Sequence, residues 1–308
     1  MAIVPVDKPM TSALCVDTIG ALLERYPVFR SDTLTTTAFG RPLEALILGQ
    51  GERKVIFSAS HHANEWITTP VLLKFAEELA EAAETGGRLF GVNADTILKA
   101  ATIYLVPMVD PDGVDLVTGA IQPRTREYDA ARQIAGDFPD IPFPDGWKAN
   151  LKGVDLNLQY PAGWLLAREI KFAQGFNRPA PRDYVGRAPL SQRESRALAE
   201  FTEAIDPDLV IALHTQGKAI YWQFRDYRVP GARALAEEFA RLSGYALEGT
   251  PYESSFAGYK DWFIQSWRRP GFTIECGLGD NPLPLSQFEE IYRDVLGILV
   301  TAATGLPG

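Results

Sequence analysis

The chain is short of the residues that most often carry metal and redox chemistry, with two cysteines and three histidines in 308 residues. Two cysteines cannot build a disulfide framework, so Cys15 and Cys276 are expected as reduced, packed thiols. Positive charge is also scarce: 30 Lys and Arg stand against 39 Asp and Glu, for a formal net charge of -9. That balance excludes the broad basic surface of a nucleic-acid-binding protein. No apolar run approaches the ~20 residues of a membrane-spanning helix, so no membrane insertion is expected. The opening residues MAIVPVDKPMTSALC hold no basic segment followed by an apolar one. A secretory leader is therefore not expected, and the cytoplasm is the expected compartment, with the cell wall as the alternative. Internal repeats and low-complexity tracts are absent as well.

What is present is an alternation of strand and helix patterns. ALILG (45–49), VIFSAS (55–60), TIYLVPM (102–108), LVIALH (209–214), AIYWQF (219–224) and FTIEC (272–276) read as strands. Helical spacing marks 15–26, 69–84, 191–205, 232–242 and 288–303, with Pro70 tolerated in a first turn and Ser191 and Glu194 forming a capping box. Residues 110–190 are rich in Pro, Gly, Asp and Arg and read as functional loop. The pattern predicts an α/β fold, a single-domain α/β/α sandwich over 1–308 with a mixed, mostly parallel sheet. Its site should lie beyond the carboxyl ends of the strands.

Two predicted strands run into histidine there: VIFSAS into His61-His62, and LVIAL into His214. A third, GFTIE, places Glu275 near a strand end, and Glu65 follows His62 by three residues. Two histidines and a carboxylate would suit a catalytic zinc, which takes three protein ligands and keeps one position open. Pattern alone leaves a second reading. Strand-end histidines are commonly ordinary hydrogen-bonded residues, and Glu65 could simply favour a helix dipole. Glu275 is harder to dismiss, because an unpaired carboxylate in so apolar a run would be costly.

SHHANEW resembles the H-A-x-E-W motif of the carboxypeptidase A-type zinc metallopeptidases. FGRPLEALILG, VPMVDPDGVD, GVDLNLQY, LHTQG and FTIECG resemble further segments of that family in the same order, covering most of residues 35–303. Asp110 stands where the family's P-x-x-N-P-D-G loop has Asn. The resemblance implies one Zn2+ per chain on His62, Glu65 and His214, with His61 as a neighbour. It implies Glu275 as general base and a basic residue for the oxyanion. Lys148 in GWKAN is the best match for that residue, and Arg124 and Arg126 are the alternatives.

The sequence also departs from digestive carboxypeptidases. Asn157 is kept, but Leu158 replaces the arginine that pairs with a C-terminal carboxylate. WKANLKGVDLNLQYPAGW, PAPRDYVGRAPLSQRES and GFTIECGLGDNPLPLSQFEEIY resemble the bacterial γ-D-glutamyl-meso-diaminopimelate peptidases. That resemblance implies hydrolysis of the γ-D-Glu–diaminopimelate amide bond in acidic peptides derived from peptidoglycan. Such substrates need local positive groups, for which Lys152, Arg182, Arg187 and Lys260 are candidates. Lys260 matches the family position that sets side-chain specificity, and Tyr252 matches the tyrosine of the substrate cap. Two other readings remain: a zinc carboxypeptidase removing acidic C-terminal residues, and a non-catalytic muropeptide-binding protein. Oligomeric state is not legible.

Overall fold

The computed structural model describes residues 2–306. Its strands are β1 (Arg30–Thr36), β2 (Pro42–Gly49), β3 (Arg53–Ala59), β4 (Arg88–Leu89), β5 (Val92–Asn93), β6 (Ala101–Val106), β7 (Leu209–Thr215), β8 (Ala219–Tyr221), β9 (Ala246–Glu248) and β10 (Gly271–Cys276). The helices are α1 (Ser12–Arg25), α2 (Thr68–Thr85), α3 (Ala94–Ala100), α4 (Pro111–Val117), α5 (Arg126–Ala135), α6 (Trp164–Ala173), α7 (Arg193–Ile205), α8 (Ala232–Ser243), α9 (Tyr259–Trp267) and α10 (Phe288–Thr304).

Eight strands make one sheet in the order β1-β2-β6-β3-β7-β10-β8-β9, and β4 pairs with β5 in a separate hairpin. The central four, β6, β3, β7 and β10, run parallel, whereas β2 and β8 join them antiparallel. The sheet is thus mixed and mostly parallel. Central strands read as unbroken apolar runs because both faces are covered. Val55, Phe57 and Ala59 of β3 pack into a core with α1, α2, α3, α8 and α10, while Ile56 enters the opposite core with α6, α7 and α9.

Three local expectations change. β6 stops at Val106, because Pro107 has no N–H to extend the ladder. The stretch 110–190 holds three helices, α4, α5 and α6, between its loops. α5 escaped notice because REYDAARQIA buries only Ala131 and Ala135, too little for an apolar stripe. α7 begins at Arg193 without a side-chain cap, so the Ser191–Glu194 capping box does not form. The Ser191 hydroxyl and N–H instead donate to Gln159 Oε1 (2.9 and 2.8 Å), and Gln192 N–H donates to the same oxygen.

Candidate active site

β3, β7 and β10 lie side by side and parallel, so their carboxyl ends open at one edge of the sheet. β3 delivers His61 and His62, β7 delivers His214, and β10 delivers Glu275 in register with His214. His62 precedes a tight 3-10 turn, Ala63–Glu65, which swings Glu65 back beneath it. The turn is held from both sides. Thr68 Oγ1 donates to the Glu65 carbonyl (2.7 Å), and Ala63 N–H donates to the Lys148 carbonyl (3.1 Å). The P-D-G loop packs under the same turn. A Cβ on Gly113 would lie 2.7 Å from the Ala63 Cβ and 2.5 Å from the Ala149 carbonyl oxygen, so only glycine fits there.

Glu65 is the centre of the cluster. Its Oε1 lies 2.9 Å from His62 Nδ1 and 2.9 Å from Lys148 Nζ, and its Oε2 lies 2.8 Å from His214 Nδ1. The ligand atoms of His62, Glu65 and His214 all fall within 4.8 Å of one another. Two imidazole nitrogens and one carboxylate are the donor set of a catalytic zinc, with room left for a fourth position. His62 Nε2, on the far side of its ring, meets Asp155 Oδ1 at 3.1 Å. A carboxylate on the remaining nitrogen of a ligating histidine fixes its tautomer and orientation. The residues present therefore fit a divalent ion.

Asp155 is a residue of this cluster that sequence reasoning missed, although it stands inside the quoted GVDLNLQY. Its second oxygen accepts from Asp183 N–H (3.2 Å), which ties the 180s loop to the metal-ligand cluster. His61 takes a different part from His62. It is fully buried, stacks on His214 with ring centroids 5.6 Å apart, and reaches the Tyr160 hydroxyl at 3.3 Å. Burial, then the neighbouring His214 and His62, hold its pKa well below the ordinary imidazole value, so it is neutral packing behind the cluster.

Electrostatics separate the two glutamates. Burial raises the pKa of both, but His62, Lys148 and His214 overcome it at Glu65, which stays ionised. At Glu275, burial and the Glu65 charge push the pKa up to about 8, against the opposing pull of Lys148. For His62, burial works against the charged form, yet Glu65 and Asp155 lift its pKa to about 9. Burial likewise lowers the Lys148 pKa, but Glu65 outweighs it and the ammonium is retained.

The ligand cluster opens into a cleft lined by His62, Lys148, Asn157, His214, Glu275 and their neighbours. Asn157 Oδ1 accepts from Tyr259 N–H (3.0 Å), and Leu158 lines the same wall. The cleft holds four cationic side chains: Lys148, Lys171, Arg182 and Lys260. Lys260 is 4% exposed, donates to the Gln223 carbonyl (2.6 Å) and pairs with Asp261 (2.5 Å). Lys171 had no signal in the sequence. It sits on α6 among apolar neighbours and is buried only because Asp183 meets it at 2.7 Å.

Other expected residues stay outside. Arg187 is exposed and absent from the cleft lining, because the chain turns away at Gly186 (φ 81°). Lys152, Arg124 and Arg126 are also exposed and do not line the cleft. Tyr252 is 63% exposed beside the rim residues Pro251 and Ser254, with its ring edge-on to Phe256 at 5.3 Å.

Comparison with known proteins is consistent across sequence and structure. The sequence model of the zinc carboxypeptidases matches residues 15–296. A gamma-D-glutamyl-L-diamino acid endopeptidase 1 of Lysinibacillus sphaericus is 41% identical over 288 residues, covering 94% of this chain and 70% of the relative. Thrombin activatable fibrinolysis inhibitor superposes with a TM-score of 0.77 at 17% identity, over 99% of this chain and 76% of that one. A murein-tripeptide amidase from Escherichia coli O157 superposes with a TM-score of 0.54 at 18% identity, over 90% and 92% respectively.

Proposed function

The chain belongs to the zinc carboxypeptidase family, and on that premise we propose that it hydrolyses the γ-D-Glu–diaminopimelate amide bond of peptidoglycan-derived peptides. The observation that carries this reading is the site itself. His62, Glu65 and His214 converge beside a half-buried Glu275 in a cleft whose lining brings four cations, Lys148, Lys171, Arg182 and Lys260, to balance its four carboxylates in a protein of net charge -9. The 41% identity to an endopeptidase acting on γ-D-glutamyl-L-diamino acid linkages supports the choice of bond.

His62, Glu65 and His214 would hold one Zn2+, which when bound supplies an acidified water and polarises the scissile carbonyl. Glu275 is the base: its carboxylate takes the proton of the attacking water and returns it to the leaving amine. Lys148 supplies positive charge to the oxygen that becomes negative when the carbonyl carbon turns tetrahedral. A lysine does this as a point charge, without the bidentate fork of an arginine. Asp155 keeps the His62 ring oriented while Glu65 is engaged. Asn157 and Lys260 bind the diamino acid half, and Leu158 removes the arginine that would favour any free C-terminal carboxylate. Tyr252 covers the rim. We propose the cytoplasm as its compartment, with the cell wall as the alternative; two free, buried thiols, Cys15 and Cys276, are compatible with either.

The test is incubation of the metal-loaded protein with L-Ala-γ-D-Glu-meso-diaminopimelate and mass analysis of the products. Free diaminopimelate with L-Ala-D-Glu is the expected result. Intact peptide, alongside rapid hydrolysis of a peptide ending in L-Glu, would instead make it a carboxypeptidase for acidic residues. No turnover of either, with tight binding of the first, would make it a muropeptide-binding protein.

A further inference from the structure

Lys171 and Arg182 share one carboxylate. Asp183 Oδ1 meets Lys171 Nζ at 2.7 Å, and Asp183 Oδ2 accepts from Arg182 Nε at 2.6 Å. Two cations on one anion leave the cluster with a net charge of about +1 at neutral pH. All three residues line the cleft. The Arg182 side chain is half-exposed, and among the described residues neither of its Nη groups donates a hydrogen bond within the protein. A guanidinium anchored through Nε, with both Nη groups free, is a preformed fork for a carboxylate.

The cluster is fixed against the ligand site. Asp183 N–H donates to Asp155, which orients His62, and Asp155 N–H donates in turn to the Tyr184 carbonyl (2.9 Å). The N–H groups of Lys148 and Ala149 both donate to the Pro181 carbonyl (2.8 and 2.9 Å), so Arg182 follows directly on the residue that holds Lys148. The α9 side of the cleft differs in charge. There Lys260 is neutralised by Asp261, and Asn157 is tied to α9 through Tyr259. Both groups line the same cleft as His62 and His214, so a peptide bound at the ligand cluster has both within the same lining.

We propose that Arg182 and Lys171, with Asp183 as their positioning residue, receive the free α-carboxylate of the glutamyl residue, so that amidation of this carboxylate blocks cleavage. The inference rests on the reading of the bond given above, which assigns the α9 side to the diamino acid and leaves the net-positive side for the glutamate. A carboxamide in this subsite has no charge for the cluster and turns an N–H2 toward the Arg182 donors. A site built for a charged partner rejects the isostere that lacks it.

The experiment compares kcat/KM on three tripeptides: L-Ala-γ-D-Glu-meso-diaminopimelate, the same peptide with the D-Glu α-carboxylate amidated, and the same peptide with the diaminopimelate α-carboxylate amidated. The native enzyme is expected to lose about 100-fold on the D-Glu amide. In Arg182→Gln the ratio between acid and D-Glu amide should collapse toward one, Lys171→Met should narrow it, and Arg182→Lys should restore part of it. A residue with only a structural role would lower both rates and leave the ratio unchanged. Equal cleavage of acid and D-Glu amide by the native enzyme overturns the proposal. So does a penalty that falls on the diaminopimelate amide instead, or full discrimination retained in Arg182→Gln. Failure to cleave all three, with cleavage of a peptide ending in L-Glu, overturns the underlying reading and this subsite with it.

Discussion

Glu275 and His214 are paired residues of the parallel ladder between β10 and β7, so a carboxylate and an imidazole leave neighbouring strands on the same side of the sheet. The register sets the proposed base beside the proposed metal ligand with no loop between them, which makes the placement as rigid as the sheet. Glu275→Gln keeps the volume and the backbone register and removes the ability to take a proton. It is expected to lower kcat by roughly 10²–10⁴ while the protein still binds one equivalent of metal. Turnover at the native rate would remove Glu275 from the mechanism.

The doubled histidine gives a contrast within two residues. His62 shares Glu65 with His214, whereas His61 is packed behind them against Tyr160 and Tyr259. His62→Ala should abolish stoichiometric metal binding, measured by elemental analysis after gel filtration. His61→Ala should keep the metal and instead lose about 2 kcal/mol of stability through the cavity it leaves. Loss of metal in His61→Ala with a native denaturation midpoint would reverse the assignment.

Asp155 touches the proposed ligand His62 and would act on a bound metal through it. Asp155→Asn keeps one oxygen in the place of Oδ1, where it accepts from Asn157 N–H, but gives up the acceptor for Asp183 N–H and withdraws the charge from His62 Nε2. Metal affinity is expected to fall roughly 10–100-fold in a chelator competition, and the metal-free protein is expected to lose some stability as well, because Asp155 also pairs with His62 and accepts from Asp183 N–H there. An unaltered affinity would mean that the hydrogen bond is dispensable.

Arg41 shows how two distant motifs hold each other. Its Nη1 meets Asp112 at 2.9 Å and its Nε meets Asp115 at 2.5 Å, so the G-R segment clamps the P-D-G-V-D helix whose glycine packs under Ala63. Ser12 donates its N–H and hydroxyl to the same Asp115 (2.7 and 2.6 Å). Arg41→Met strands two buried carboxylates and is expected to cost about 3 kcal/mol, read as a lower denaturant midpoint at unchanged m-value. A loss of unfolding free energy under about 0.5 kcal/mol would show the clamp to be ornamental.

The parts of this fold that were legible in the sequence are those whose burial is apolar. β3, β7 and β10 announce themselves as hydrophobic runs, and the histidines and Glu275 stand out because they interrupt or end those runs. β1 does not, because RSDTLTT is a largely exposed edge strand held by its ladder to β2 rather than by an apolar face. Side chains buried by pairing are equally silent. Nothing in WLLAREIKFA separates Lys171 from a surface lysine until Asp183 arrives from the next loop. The role of Asp155 depends on a contact 93 residues back along the chain. Ser191 and Glu194 had the spacing of a helix cap, but a glutamine 32 residues upstream took the Ser191 hydroxyl.

Asp110, which stands where the family loop has asparagine, carries a pH signature. It is fully buried; its Oδ1 accepts from Gly113 N–H (3.0 Å) to cap α4, and its Oδ2 has no partner among the described residues. Burial first, then the charge of Glu194, hold its pKa well above the ordinary carboxylate value. Above the unfolded-state pKa and below the folded one, the native protein binds a proton that the unfolded chain does not. Stability contributed by this group therefore falls as pH rises from the ordinary carboxylate range through its raised folded pKa, by up to about 1.4 kcal/mol per pH unit. Asp110→Asn retains the cap and cannot ionise. Its stability should match the native protein near pH 4 and exceed it increasingly toward neutrality, measured as unfolding free energy across the pH series. Parallel curves for the two proteins would show that Asp110 titrates normally in the fold.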